Sequence, residues 1–191
     1  MMYHKVQRVQ KVLKNAALHS EKFSKASGLT CAAKCHLCCI KRDISASPLE
    51  FFPLAYHLVK SGQADAFYDK LERLPDNDIC VLFSALGDTP GACSNYPYRG
   101  LICRLFGYSV NRDKQGQYRM VTCKTLKETP AYLQVPAKAF EKAPVFTEYY
   151  MQLAAIDFAL ANEQLQINKA VKRALELVMS YYQYRRPGKR A

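Results

Sequence analysis

The sequence predicts a mainly α-helical protein wrapped around an irregular, cysteine-rich centre that carries one small β-hairpin. Three observations predict it. Apolar residues recur at three- and four-residue spacing near both ends of the chain. All eight cysteines fall between residues 31 and 123, where that spacing breaks down. No alternation of strand and helix patterns is present, as a parallel α/β sheet requires. The 191 residues suit a single domain over 1–191. Its parts are a cysteine-bearing core at 31–124, flanking helices at 1–28 and 145–184, and a basic tail at 185–191. Hydrophobic residues at 49% and charged residues at 23% describe a chain that can bury a core, not a disordered one.

Residues 3–26 read as an amphipathic helix, with Tyr3, Val6, Val9, Leu13, Ala16 and Phe23 on one face and lysines between them. Gly28 ends it. The cysteine loop Cys31–Cys39 follows. Ser47-Pro48-Leu49-Glu50 then gives a cap, a proline at the first helical position and a glutamate three residues after the cap. That helix runs to about Lys60, with Pro53 kinking it or delaying its start. A short helix over 63–74 stops before Pro75. Ile79 to Phe83 is a short apolar run, and Asp88 to Asn95 reads as turn around Pro90 and Gly91. Tyr108–Val110 and Tyr118–Val121 flank Asp113-Lys114-Gln115-Gly116, a hairpin pattern. Residues 126–144 read as loop. Helices over 146–162 and 168–184 close the chain, the second capped by Asn168.

The formal charge of +12 is uneven. Residues 1–30 and 169–191 hold nearly all the excess, and the centre is almost balanced. The basic termini suit a protein or nucleic-acid partner, although a solvated helix face and a frayed tail explain them as well. Neither an RNA-stacking motif nor a helix-turn-helix pattern accompanies them. The longest charge-free run, Thr89 to Tyr98, is far shorter than the ~20 residues of a membrane helix, so no membrane partner is expected. The lysine-rich start carries no secretory apolar stretch, and the expected location is cytoplasmic.

The cysteines are Cys31, Cys35, Cys38, Cys39, Cys80, Cys93, Cys103 and Cys123. Disulfides fit a reduced compartment poorly, and adjacent Cys38 and Cys39 resist bridging to near partners. Four cysteines within nine residues, in a loop with Lys34 and His36, do not read as core packing. Metal ligation remains. The C-x2-C step from Cys35 to Cys38 lets two sulfurs face one ion, and thiolates suit zinc or an iron–sulfur centre. Eight thiolates make two four-sulfur sites or one polynuclear cluster, with Cys38 and Cys39 either serving one centre each or bracketing one. Lys34, Lys41, Arg99 and Arg104 are candidates to balance thiolate charge.

Cys31-Ala-Ala-Lys-Cys35-His-Leu-Cys38-Cys39 resembles the opening cluster of the YkgJ-like (CxxCxxCC) cysteine-cluster family of zinc- or iron-chelating proteins. Ser47-Pro48 followed by Glu50 is similar to that family's short helix start. Cys80 and then Cys93-Ser-Asn-Tyr96-Pro-Tyr-Arg99-Gly-Leu-Ile-Cys103-Arg104 resemble its second block, and Cys123 stands as the eighth cysteine. The likeness covers about 31–124. Two departures occur: the first gap is three residues where two are usual, and Gly100 stands where proline is usual. The resemblance implies metal chelation through the eight cysteines. Flagellin lysine N-methylases carry a related cluster, so an iron–sulfur enzyme, redox or methyltransferase-like, stays open beside a nucleic-acid-binding zinc module. C-x3-C-x2-C is also the spacing of radical S-adenosylmethionine enzymes, but a basic helix precedes it here where they place a barrel strand.

Other candidates carry weaker signals. His36 is a ninth ligand or a hydrogen-bond donor to one. His4, His19 and His57 lie on helices. Tyr96 and Tyr98 read as packing residues, Tyr181, Tyr182 and Tyr184 as a helix face, and Asp76 and Asp78 as turn residues. No phosphate-binding glycine loop, G-x-S-x-G or H-E-x-x-H motif is present, and no catalytic residue is assigned.

Overall fold

The computed structural model describes residues 1–31, 35–75, 78–86 and 89–184. The expected tail at 185–191 and the positions of Lys34, Asp76 and Asp88 lie outside the described residues. The architecture is mainly α with small two-stranded antiparallel sheets, as expected.

Helix α1 (Met2–Ser27) buries Val6, Val9, Leu13, Ala16 and Phe23 on one face. Gly28 ends it in the left-handed conformation, φ 72°. After the cysteine loop, Ser47 and Glu50 form the capping box in full: Glu50 Oε1 accepts from the Ser47 amide at 2.9 Å and from its hydroxyl at 3.1 Å. The first turn, Pro48–Phe51, is a 3-10 helix, and α2 (Phe52–Lys60) begins only after it. Pro53 thus delays the α-helix; lacking an amide donor, it fits a first turn and not an interior. Helix α3 (Ala64–Glu72) follows.

Several elements differ from expectation. Strand β1 (Ser45–Ala46) and strand β6 (Leu165–Gln166) pair across the length of the chain. The segment read as turn holds strand β3 (Thr89–Cys93), antiparallel to β2 (Phe83–Leu86) with Phe83 opposite Cys93. Gly91 was the misleading residue. A Cβ there would lie 2.5 Å from the Phe83 ring and 2.7 Å from the Ser84 carbonyl, so glycine marks a close approach of two strands. The hairpin of β4 (Ser109–Arg112) and β5 (Tyr118–Val121) forms as expected, with Asp113 Oδ1 accepting from the amides of Gln115 and Gln117 in its turn.

The stretch expected as loop contains α5 (Lys124–Lys127), α6 (Pro130–Gln134) and a 3-10 segment, Ala137–Lys142. Its prolines stop each piece early and left no period to detect. The helix expected over 146–162 is two, α7 (Phe146–Ala154) and α8 (Phe158–Asn162). Asp157 breaks it. Its carboxylate caps the Leu160 amide at 3.1 Å and pairs with Lys5 at 2.6 Å. Helix α9 (Ile167–Gln183) is capped by Gln166, not by Asn168, through the Asn168 amide at 2.8 Å.

Helix α4 (Leu101–Leu105) packs on α1, while α9 packs on α2 and on the Pro48–Phe51 turn. The main core joins Leu13, Phe51, Phe52, Leu101 and Leu175. A smaller cluster of Phe23, Leu29, Val110 and Ala143 lies under the β4–β5 hairpin. Among the described residues, no helix is long and apolar enough to cross a membrane.

Leu175 is fully buried and Leu133 is 74% exposed. Leu175→Ala is expected to lose about 2–5 kcal/mol of stability in urea titration, and Leu133→Ala to stay within about 0.5 kcal/mol of the parent. Equal losses at the two positions would contradict this core.

Candidate metal centre

The residues nearest to chemistry come from loops and short elements fastened to the helical frame. Cys31 follows the end of α1, and its amide donates to the Tyr108 hydroxyl at 2.9 Å. Cys38 and Cys39 occupy a turn closed by the Cys39 amide on the His36 carbonyl at 2.7 Å. The Cys80 amide donates to the Cys39 carbonyl at 3.0 Å, and the Phe83 amide to the Cys80 carbonyl at 2.8 Å. Cys93 is drawn in by its pairing with Phe83. Cys103 stands on α4. Cys123 caps α5, its Sγ accepting from the Leu126 amide at 3.3 Å.

Two buried polar side chains hold this irregular backbone. Glu50, fully buried, reaches beyond its own capping box: Oε2 accepts from the Ile102 amide at 3.0 Å, at the start of the helix that carries Cys103. Tyr150 lies near enough to oppose the effect of burial on the Glu50 carboxyl. Gly100 permits this approach, since a Cβ there would lie 2.9 Å from the Phe51 ring and 3.0 Å from Glu50 Oε2. Asn168 does the same for the other side. Its Oδ1 accepts from the Val81 amide at 2.8 Å, and its Nδ2 donates to the carbonyls of Ile79 and Asp78, so it grips the chain on either side of Cys80.

Seven of the eight cysteines, all but Cys123, line one cavity of about 480 Å³ walled by α1, α4 and β3. Cys123 lies near enough to act electrostatically on Cys31 and Cys38. All eight are free thiols. Among the described residues, no three Cys, His, Asp or Glu side chains stand as placed round a single ion's position.

Burial, joined at most of them by neighbouring sulfurs, disfavours thiolate at Cys31, Cys38, Cys39, Cys80, Cys93 and Cys103. Burial first, then Cys31, Cys123, Cys35 and Cys39, push Cys38 up to about 11. Burial raises Cys80 to about 12 against hydrogen bonds from the backbone. Cys103 is raised further, again chiefly by burial. Cys31, Cys39 and Cys93 are raised by the same cause. Arg99 opposes the trend at Cys39, Cys93 and Cys103. Its guanidinium lies 3.5 Å over the Tyr96 ring, and its buried Nε has no protein partner. Arg104 is fixed by bonds to the Arg99 and Pro97 carbonyls at 2.9 and 2.6 Å. A donor set of this kind binds protons until a cation displaces them, so metal uptake releases protons.

His36 does not line the cavity; it sits half-buried, 5.6 Å from the Phe83 ring, with Nδ1 unpartnered. Lys41 is exposed. Tyr98 stacks on His57 at 4.5 Å. His19 bonds the Tyr149 hydroxyl and the Lys142 carbonyl. Asp78 caps its own turn through the Ile79 amide. The sequence reading missed Tyr108, Asn168 and the second bond of Glu50. Tyr108 and Asn168 meet partners 77 and 87 residues away, which no local pattern encodes.

Among known proteins, the family described as "Putative zinc- or iron-chelating domain" (CxxCxxCC) matches residues 30–124. The match to the CxxCxxCC family over this stretch agrees with the resemblance carried by the cysteine spacing. No curated protein and no solved structure matches the chain.

Glu50 generates a prediction. Burial holds its carboxyl above the ordinary 4.5, so the folded protein keeps a proton that the unfolded chain sheds. This contribution is fully present below 4.5 and is lost as pH rises through the raised value. Glu50→Gln is expected to flatten the fall in urea midpoint between pH 4.5 and neutral. Glu50→Ala, which leaves the Ser47 and Ile102 amides unpaired, is expected to cost about 3 kcal/mol or more. An unchanged pH slope in the Gln variant would remove Glu50 as the titrating group.

Proposed function

We propose that the protein is a cytoplasmic metal-binding protein in which Cys31, Cys35, Cys38, Cys39, Cys80, Cys93, Cys103 and Cys123 hold zinc or an iron–sulfur centre. The observation that carries this reading is the convergence of seven thiols, from Cys31 to Cys103 in the chain, on one cavity. A sulfur-only donor set suits those metals over calcium or magnesium. Free thiols in this number suit a reducing compartment. The matched domain supports the same chemistry.

A bound metal would supply positive charge where, among the described residues, Arg99 and Arg104 are the cations lining the cavity beside the sulfurs. The chain's own part is to position and deprotonate. Glu50 and Asn168 fix the backbone at Cys103 and Cys80, Tyr108 fixes it at Cys31, and Arg99 offsets thiolate charge. The buried Arg99 Nε has no protein partner, so it is a donor free to serve an ionised sulfur. A metal held this way also cross-links loops that have little hydrogen-bonded structure of their own, and its binding energy becomes folding energy.

Anaerobic purification with assays of zinc, iron and acid-labile sulfide tests the reading. Bound zinc without colour, or iron with sulfide and visible absorbance, is the expected result. Cys38→Ser and Cys103→Ser are each expected to lower bound metal and the melting temperature, and Lys189→Ala to change neither. Full metal content and unchanged melting in both cysteine variants would refute the ligand assignment.

A further inference from the structure

We propose that a groove along α1 is the docking site for a partner protein, which enters it with an amphipathic helix that is apolar on one face and acidic at its flanks. The groove adjoins the cysteine cavity, so the docked partner lies beside the metal centre; that placement alone rests on the metal-binding reading above.

The groove encloses about 450 Å³. Gln10, Leu13, Lys14, Ala17, Leu18 and Glu21 form one wall. Their three- and four-residue spacing makes a single stripe of α1, about 16 Å long at the helical rise. Pro53, Pro97, Tyr98 and Arg104 form the opposite wall. Two prolines and an aromatic ring thus stand across from Leu13, Ala17 and Leu18, and the channel between them is apolar. Leu13 and Pro53 are buried, which gives it a firm floor. Leu18 is 46% exposed at its rim. A lone exposed leucine is ordinary, but one set on an open apolar channel marks an interaction surface.

Charge selects the occupant. Lys14 is exposed and, among the described residues, pairs with no carboxylate; the same holds for Lys11 and Lys22 on the same helix. Arg104 bonds only the neutral carbonyls of Arg99 and Pro97. Glu21, the acid on the stripe, is taken by Lys25 at 2.6 Å. The face is therefore cationic without an internal counterpart, on a chain of net charge +12. A second copy would bring like charge to it. Nucleic acid would meet the lysines and leave the apolar channel empty, since the Tyr98 ring is already stacked on His57 at 4.5 Å. An acidic amphipathic helix satisfies both features, with apolar side chains in the channel and carboxylates on the lysines.

Ala17, Glu21 and Arg104 line both the groove and the cysteine cavity. One turn of α1 and one arginine separate the docked helix from the thiols. A partner held there is placed to give metal to the cavity or take it away.

The test uses the full chain, purified anaerobically with its metal content measured, and a fluorescein-labelled synthetic helix with leucines on one face and glutamates on its flanks. Anisotropy is expected to show saturable one-to-one binding. Lys14→Glu and Leu18→Ser, both at exposed positions, are each expected to weaken it tenfold or more with unchanged circular dichroism. Lys114→Glu, in the β4–β5 turn, is expected to weaken it less than twofold. Amide NMR shifts on binding are expected at Leu13, Ala17 and Leu18. No saturable binding overturns the proposal, as does equal weakening by Lys114→Glu or indifference to Leu18→Ser. Tighter binding of a mixed-sequence DNA duplex, lost in Lys14→Glu, gives the face to nucleic acid and overturns it. So does a dimer in sedimentation that Leu18→Ser dissolves, which gives the face to a second copy. Peptide binding by a chain that takes up no metal fails the metal-binding reading and upholds the groove; metal uptake without peptide binding does the reverse.

Discussion

The carboxylate of Glu50 joins the ordered part of this molecule to the irregular part. It lies fully buried and completes the capping box that starts the second helical segment. The same group takes the Ile102 amide, in the first turn of α4, across 52 residues of sequence. A buried carboxylate is expensive unless its oxygens are satisfied, and here Ser47 and Ile102 satisfy them. The position of Cys103 therefore depends on the register of a helix start that comes long before it. Gly100 is part of the same constraint, because any side chain there would meet Glu50 and Phe51.

Cysteine-bearing segments with so little regular hydrogen bonding need fixed points, and the helical frame supplies them as single side chains. Asn168 on α9 holds the peptide groups around Cys80; Tyr108 holds Cys31. Each is a side-chain bond to backbone, which fixes a loop without imposing helix or strand upon it. Among the described residues no three ligand groups stand round one point.

Much of this was legible in the sequence, and the boundary is a physical one. The long amphipathic helices, the Gly28 terminus, the Ser47–Glu50 box and the β4–β5 hairpin each depend on residues close together in the chain, and each was read correctly. Asn168 shows where such reading stops. By local rules it is a helix cap, but Gln166 takes that role because the Asn168 amide group is committed to a strand of chain 87 residues away. Gly91 shows the reverse error, since a turn residue by composition turned out to admit the Phe83 ring between strands. For the site, residue types and spacing gave the donor chemistry. They gave neither the cavity nor the residues that orient it, since those relations are long-range.

The distribution of charge explains why the cysteines tolerate proximity at all. As neutral thiols they are small polarizable groups, and burial keeps most of them so: Cys38 at about 11 and Cys80 at about 12 are protonated near neutrality. Ionisation without a cation would place several like charges on one cavity wall, with Arg99 and Arg104 the lining groups of opposite sign. The fold thus resists the thiolate state and admits it only together with a positive ion. That condition favours a tightly held multivalent cation over isolated reactive thiolates, since each sulfur gains its charge only from the partner that also neutralises it.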